Sequence, residues 1–289
     1  MGYLIKAVSS SKNFRAFAVE CKEVVETVRK LQGLSPVASA ALGRALAGVA
    51  LLSGDLKIGK VLLQINGGGP LGEILAEGNW EGYLRGTVRN PEVYLKPENK
   101  KLPVGKAVGK KGYISVVKDL GLKEVYQSST QLVSGEIAED LAYYLTVSEQ
   151  IPSAVSLGVL VDTDGSILAA GGFLIQKLPE ASEEEVQNLE EKIKKLPYIT
   201  QLLSQGYTPE KILAEIFEDI RILEKRPLTY QCACNLERVK GMLIALGKKE
   251  LEDILKEGKS LEVICNFCRE IYLIDIKTIE DLLNFIKKR

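Results

Sequence analysis

Histidine is absent from all 289 residues of the chain. It is the commonest general base near neutral pH and the commonest nitrogen ligand for a metal ion. Any catalytic proton transfer would therefore fall to Asp, Glu, Lys, Tyr or Cys. Any zinc site must use sulfur alone or sulfur with carboxylate oxygen.

The chain also lacks an excess of either charge sign, because 38 Lys and Arg balance 38 Asp and Glu. A chain with zero formal charge has no global attraction to nucleic acid or to an acidic membrane. Hydrophobic residues make up 46% and charged residues 26%, as is typical of soluble globular proteins. Nothing near the N-terminus resembles a secretory signal. We therefore expect a cytoplasmic protein with reduced cysteines.

The most apolar stretch of the chain is Leu34–Leu52, which carries Arg44 near its middle. It starts with Ser35 and Pro36, a pair typical of the N-cap and first turn of a helix. Its alanines and glycines indicate close packing against another element. The stretch therefore predicts a buried helix of a soluble protein rather than a membrane span.

Residues 1–178 predict one N-terminal core domain in which meandering strands are mixed with a few helices, a fold of the α+β class. Strands are predicted at Tyr3–Val8, Phe14–Glu20, Lys60–Asn66, Gly72–Glu77, Tyr83–Arg89 and Gly112–Lys118, and helices at Cys21–Leu31, Pro36–Leu52 and Glu136–Glu149. The segments Val155–Val161 and Ser166–Gln176 predict a hairpin around the turn 162–165.

Residues 179–228 predict a helical linker. Ser182 is an N-cap candidate before three consecutive glutamates, which are favourable at the positive end of a helix dipole. This helix has one narrow apolar stripe, and a second short helix is predicted at Pro209–Phe217. The segment has too few apolar residues for a core of its own. It is therefore either a marginal linker or an ordinary connector lying on a neighbouring surface.

Residues 229–289 contain four of the five cysteines, Cys232 with Cys234 and Cys265 with Cys268, and thirty residues separate the two pairs. Positions two apart in an extended segment point to the same side, so the first pair can bind one ion together. A Cys-x-x-Cys turn also brings two thiolates to tetrahedral spacing. The spacing therefore predicts a closed four-sulfur zinc site, with bonds of about 2.3 Å.

Three other interpretations of these cysteines remain open. They could be unrelated buried thiols, ligands of an iron–sulfur cluster, or a thiol exchange site. The exchange site fits poorly, because Cys265–Cys268 leads into the apolar run Ile271–Ile276 rather than opening a helix. Metal binding contributes on the order of 10–16 kcal/mol to such modules, so a module of this size is expected to depend on its metal and to unfold on oxidation.

Cys21 stands alone at the start of a predicted helix. A buried thiol is the favoured interpretation of a single cysteine there. A thiol made reactive by the helix terminus is the alternative, and a competing disulfide stays open.

Two further motifs are set aside. Gly54–Val61 nearly matches a phosphate-binding loop, but it lacks the Ser or Thr needed for magnesium and precedes a predicted strand. A loop with five lysines could bind nucleic acid, but a solvated loop is the favoured interpretation. Its lysines are Lys100, Lys101, Lys106, Lys110 and Lys111.

Several segments together with the cysteine spacing resemble the heat shock protein 33 family of redox-regulated chaperones. The similar segments are Tyr83–Gly86, Tyr126–Ser128, Tyr143–Ser153 and Ala170–Pro179. The resemblance covers essentially the whole chain, and the run Ser148–Ser153 and the cysteine pairs are its specific parts.

The resemblance implies an ATP-independent holdase that binds unfolding client proteins in the bacterial cytoplasm and is not an enzyme. Reduced protein with zinc on Cys232, Cys234, Cys265 and Cys268 would be inactive. Oxidants would form the Cys232–Cys234 and Cys265–Cys268 disulfides and release the zinc. The linker 179–228 would then unfold, and oxidised chains would form homodimers. No nucleotide, nucleic acid or membrane is implied as a partner.

Two rival functions stay open at this point. A zinc-ribbon protein that binds nucleic acid would show binding that weakens steeply with salt. A disulfide oxidoreductase would turn over a dithiol substrate.

Overall fold

The computed structural model describes residues 2–99 and 101–287, so Lys100 of the lysine-rich loop lies outside the described residues. The chain folds as two compact units, Met1–Gln231 and Cys232–Arg289. We call them the core unit and the cysteine unit, and each is described by itself.

The core unit contains eleven strands and seven helices among the described residues. In chain order they are β1 Tyr3–Ser9, β2 Phe14–Glu20, α1 Lys22–Gln32, α2 Pro36–Ser53, β3 Lys60–Asn66, β4 Ile74–Asn79, β5 Tyr83–Val88, α3 Val104–Val108, β6 Tyr113–Asp119, β7 Tyr126–Gln131, α4 Ala138–Val147, β8 Ser153–Val161, β9 Ile167–Lys177, α5 Glu183–Lys195, α6 Ile199–Ser204, α7 Pro209–Ala214, β10 Ile220–Pro227 and β11 Thr229–Tyr230.

These strands form two sheets. One has five strands in the order β10-β1-β2-β9-β8, and the other has six in the order β11-β5-β4-β3-β6-β7. All neighbouring strands are antiparallel except β11 and β5. Helix α2 contacts strands of both sheets and therefore lies between them. The mixed α+β architecture is as predicted.

Helix α2 forms where the sequence predicts a buried helix. The hydroxyl of Ser35 accepts a hydrogen bond from Ala38 N, and Pro36 occupies the first turn. The helix is long and apolar enough to cross a membrane, with mean hydropathy 1.4, but 89% of it is buried inside the fold, as in the core helix of a soluble protein. A Cβ on Gly43 would lie 2.7 Å from Val159 Cγ2, so the absence of a side chain permits the close packing.

The five-stranded sheet is covered on both faces. Leu4 and Phe17 face the core around α2. Ile5 and Ala16 point the other way into a second core, which we call the linker core. Other residues of β1, β2 and β9 line the same sheet face, and residues of α6, α7 and the segment after α7 pack against it, with the apolar stripe of α5 alongside. Strands buried on both faces read as nearly continuous hydrophobic runs, as β2 and β9 do.

The predicted helical linker, residues 179–228, also contains a strand that the sequence did not predict. Strand β10 lies in this segment and pairs with β1, so the segment joins the five-stranded sheet. Most side chains of β10 are exposed, including charged ones, because it is an edge strand. Such a strand lacks the alternation of buried apolar residues by which strands are predicted.

The cysteine unit contains α8 Leu236–Leu246, α9 Lys248–Lys256, β12 Leu261–Ile264, β13 Ile271–Ile274 and α10 Ile276–Lys287. Strands β12 and β13 form a two-stranded antiparallel sheet. Seven buried residues make the core of this unit among the described residues, and three of them, Ile279, Leu282 and Leu283, come from α10.

Candidate metal centre

The four cysteines predicted as zinc ligands converge in the cysteine unit. The sulfur atoms of Cys232, Cys234, Cys265 and Cys268 all lie within 4.8 Å of one another. The Sγ atoms of Cys232 and Cys265 are 3.7 Å apart, and those of Cys234 and Cys268 are 3.2 Å apart. Each of these two contacts joins one cysteine pair to the other. The two distant pairs therefore form a single site.

The first pair lies in an extended segment directly before α8. Asn235 is the N-cap of this helix, and its side chain accepts a hydrogen bond from Arg238 N. The cap fixes the point at which the chain leaves the extended conformation. Cys232 and Cys234 therefore stay in extended backbone, where side chains two residues apart point to the same side.

The second pair lies in the turn that joins β12 to β13. Cys265 N donates to Glu270 O at 2.9 Å, and Arg269 N donates to Cys265 O at 2.9 Å. Arg269 has a φ of 63°, in the left-handed region that lets the chain reverse within this short turn. The hairpin thus presents Cys265 and Cys268 together at its tip.

The backbone of this turn also acts on the thiols. Burial opposes ionisation of Cys265, but hydrogen bonds from the backbone of Cys268 and Phe267 outweigh it and lower the pKa of Cys265 to about 7. Burial raises the pKa of Cys232 and that of Cys268. One thiol of the cluster is therefore already close to ionising at neutral pH.

Tyr272 contacts the cysteine cluster, a contact that the sequence analysis missed. Its hydroxyl donates a hydrogen bond to Cys234 Sγ at 3.2 Å, and this bond raises the pKa of the tyrosine. A donor to a ligand sulfur orients that sulfur and stabilises its negative charge. The available signal was the position of Tyr272 on the apolar run that follows the second cysteine pair.

The donor set fits a zinc ion. Four thiols whose sulfurs are close enough to bind one ion, in a chain without histidine, match the all-cysteine structural zinc site. When bound, zinc would hold the four sulfurs as thiolates and join the segment before α8 to the β12–β13 turn.

The linker core is a second feature of interest, because it covers an apolar face of the five-stranded sheet. Helices α5, α6 and α7 cover a face of the five-stranded sheet formed by Ile5, Phe14, Phe173 and Ile175 among others. A Cβ on Gly158 of β8 would lie 2.6 Å from Ile199 Cγ2, so this glycine allows α6 to approach the sheet closely. The predicted cap of α5 is confirmed, because Ser182 and Glu185 form a reciprocal capping box.

The remaining sequence candidates lie elsewhere. Cys21 is a free, fully buried thiol at the N-cap of α1, and burial raises its pKa, which confirms the favoured interpretation. The motif Gly54–Val61 runs from the end of α2 into β3, so it opens no helix. Lys106 of the lysine-rich loop is paired with Glu98.

Fold and site together define a class: an α+β protein with a separate small unit that gathers four cysteines able to bind a metal ion. The sequence profile described as Hsp33 protein matches residues 2–275 of this chain. The chain belongs to the Hsp33 family.

Named relatives agree with this membership. The chain is 46% identical to the 33 kDa chaperonin of Caldanaerobacter subterraneus subsp. tengcongensis, over 97% of each chain. It is 42% identical to the 33 kDa chaperonin of Bacillus subtilis, over 98% of each chain. The crystal structure of the 33 kDa chaperonin (heat shock protein 33 homolog) of Thermotoga maritima superimposes with a TM-score of 0.89 at 42% identity, over 99% of each chain. The chain is accordingly a chaperone and not an enzyme.

Proposed function

We propose that this chaperone is an ATP-independent holdase switched by the redox state of Cys232, Cys234, Cys265 and Cys268. In the reduced state the four sulfurs bind one zinc ion and the chaperone is inactive. The convergence of four sulfurs within 4.8 Å is the observation that carries the proposal. The same four residues are both the metal ligands and the sensor.

Oxidation removes the ligands. In the proposed reaction each pair of zinc-bound thiolates, Cys232 with Cys234 and Cys265 with Cys268, loses two electrons and gains one S–S bond. One hydrogen peroxide per pair is reduced to two water molecules. The zinc ion is released, and the two protons that each peroxide takes up come from solvent. Attack on the peroxide begins from a thiolate. Each disulfide closes a very short loop, so it restores little of the lost stability.

Activation then exposes apolar surface. Residues 179–228 leave the five-stranded sheet, and the sheet face of the linker core becomes available to unfolding client proteins. The linker helices support this step because α5 has no buried residue and α6 and α7 have only six residues each. Short helices with few buried groups open at low free-energy cost. Oxidised chains associate as homodimers in the cytoplasm.

The test combines zinc content with suppression of client aggregation. The protein is purified under reducing conditions, its zinc is counted, and it is treated with peroxide at raised temperature before a chemically unfolded client is added. We expect loss of about one zinc per chain, suppression only after oxidation, and reversal by reductant. Cys21→Ala serves as a matched control that keeps the switch. Zinc retained after oxidation, or equal activity in both states, would leave the cysteines a purely structural site.

A further inference from the structure

Strand β7 is an open edge of the six-stranded sheet, because it ends the strand order and pairs only with β6. Leu132 N donates to Gly112 O, which fixes the phase of the β6–β7 ladder. Hydrogen-bonded residues alternate along an antiparallel strand. The N–H and C=O groups of Gln127, Ser129 and Gln131 therefore point away from β6, and none has a protein partner within residues 2–99 and 101–287.

This edge lacks the devices that normally block strand pairing. The sequence Tyr-Gln-Ser-Ser-Thr-Gln of β7 has no charge and no proline, and its register with β6 has no bulge. Strand β10, an edge of the other sheet, carries four charged residues and Pro227, and its ladder with β1 is bulged. Charges, prolines and bulges protect sheet edges from pairing with another chain.

The other two edges are protected differently. Strand β11 has only two residues. Strand β8 is uncharged, but none of its nine residues is exposed. Four of the six residues of β7 are exposed, so it is the accessible unprotected edge of the two sheets in the core unit.

The charges at the two ends of β7 are of opposite sign, so a two-fold rotation places the basic end of one copy beside the acidic end of another. Exposed Lys110 and Lys111 lie beside the Gln131 end of the strand, next to Tyr113. Exposed Glu124 lies just before the Tyr126 end, where the charges of Asp119 and Lys123 cancel, so Glu124 leaves this end with one net negative charge. None of these five charged residues has an ion-pair partner among the described residues. Antiparallel pairing of two copies brings the basic end of one β7 to the acidic end of the other.

Apolar side chains flank the same edge. Leu122 is 72% exposed and Val125 is 55% exposed in the loop that leads into β7, and Val133 is 45% exposed just after it. Isolated exposed apolar residues are ordinary, but a group of them along an open edge is typical of an interaction site.

We propose that two copies of this chain pair through β7 in antiparallel orientation, with Ser129 facing Ser129 on the two-fold axis and Gln127 facing Gln131. The two six-stranded sheets then form one continuous sheet of twelve strands. This pairing deepens the proposed function, on which it rests only for the statement that oxidised chains form homodimers. The edge is already open with the cysteines as thiols, so weaker pairing of reduced chains is also expected.

The test introduces a charged residue at Ser129, on the two-fold axis of the proposed dimer, in the full-length protein. Ser129→Lys and Ser129→Asp each place like charges opposite each other in a homodimer, and we expect each to raise the dimer dissociation constant at least about tenfold. A mixture of the two variants places opposite charges on the axis and should restore dimers. Ser115→Lys, opposite Ser129 on β6 but away from the edge, is the matched control. Sedimentation velocity over a concentration series, in reduced and oxidised protein, gives the constants.

The outcomes separate this proposal from the redox switch. Dimers that form equally well in Ser129→Lys, Ser129→Asp and Ser115→Lys would overturn the β7 interface and leave the switch intact. Wild-type protein that stays monomeric in both redox states would overturn both the interface and the homodimer. Variants that keep normal dimers but lose suppression of aggregation would assign the edge to client segments instead of a second copy.

Discussion

The two compact units reach their folded states by different means. The core unit packs an 18-residue apolar helix between two sheets, and almost every residue of that helix is buried. The cysteine unit spans residues 232–289 and has seven buried core residues, while Met242 and Leu273 remain largely exposed. A domain this small buries too little apolar surface for ample stability. The comparison indicates that the core unit is stabilised by its apolar core, and that the cysteine unit would depend on a metal ion bound by its four cysteines.

Removal of the metal should produce the largest difference in stability between the two units. Zinc contributes about 10–16 kcal/mol to small structural sites, as much as the whole stability of an ordinary domain, about 5–15 kcal/mol. We expect a strong chelator, or Cys234→Ser, to abolish amide protection throughout 232–287 and to leave the core unit protected. Hydrogen exchange read peptide by peptide makes the measurement, with Cys21→Ala as the control. Persistent protection in α8–α10 without zinc would show that the apolar core suffices.

Truncation of a side chain in the core around α2 should destabilise the core unit and leave the cysteine unit unaffected. Leu46 is fully buried, and Leu46→Ala should lower the free energy of unfolding of the core unit by about 3–5 kcal/mol through a cavity. Zinc content should not change. Leu122→Ala, at a side chain 72% exposed, should cost less than about 0.5 kcal/mol. Denaturant unfolding measures both, and equal effects would contradict the burial assignment.

Truncation of a buried side chain in the linker core should lower stability less than truncation in the core around α2. Leu202 of α6 is 3% exposed, and Leu202→Ala should cost about 2–3 kcal/mol, the lower end for buried leucines because a short helix can relax. If the proposed switch is correct, this variant suppresses aggregation at lower peroxide than wild type does. Exposed Gln201 of the same helix supplies the control Gln201→Ala. An unchanged peroxide threshold in Leu202→Ala would argue against release of the linker as the activating step.

The smallest expected effect concerns Glu26 of α1. Hydrogen bonding to Arg29, with a further bond from Ile167 N, lowers the pKa of Glu26 to about 2. Because the folded state lowers this pKa, the stabilisation is complete above about pH 4.5 and is lost as the pH falls towards 2. The side chain is 20% exposed, so solvent screening limits the contribution to about 1 kcal/mol.

Glu26→Gln should therefore destabilise the core unit more at pH 7 than at pH 3, where part of the stabilisation by the ionised carboxylate is already lost. Unfolding free energies measured across this range should converge as the pH falls. Glu92→Gln, at an exposed carboxylate, should show no such convergence. A difference that stays constant with pH would mean that Glu26 acts through packing rather than charge.

Elements with a local signal were predictable from the sequence. Strand β3 has the predicted bounds, Lys60–Asn66, and its alternation of buried and half-buried residues is the pattern used to predict it. The cap at Ser182 and the hairpin of β8 and β9 are likewise confirmed. In each case the pattern that predicts the element lies in residues close together in the sequence.

Elements defined by distant partners were not predictable in this way. Strand β7 was missed because its Ser, Thr and Gln residues show no apolar alternation, and its pairing with β6 alone makes it a strand. Strand β10 was missed for the same reason, since its partner β1 begins more than two hundred residues earlier. At the site, the four cysteines were predictable from spacing, whereas the hydrogen bond from Tyr272 depends on the register of β12 and β13.

The position of β1 between β2 and β10 also sets an order of events during protein synthesis. The β1–β2 hairpin emerges first from the ribosome, yet β9 and β10, the strands that border it, are made only after most of the core unit. Contacts between such distant segments form late. A nascent chain that has not reached Pro227 therefore carries its first hairpin with an open edge, exposed to the same aggregation hazard that a chaperone protects other chains against.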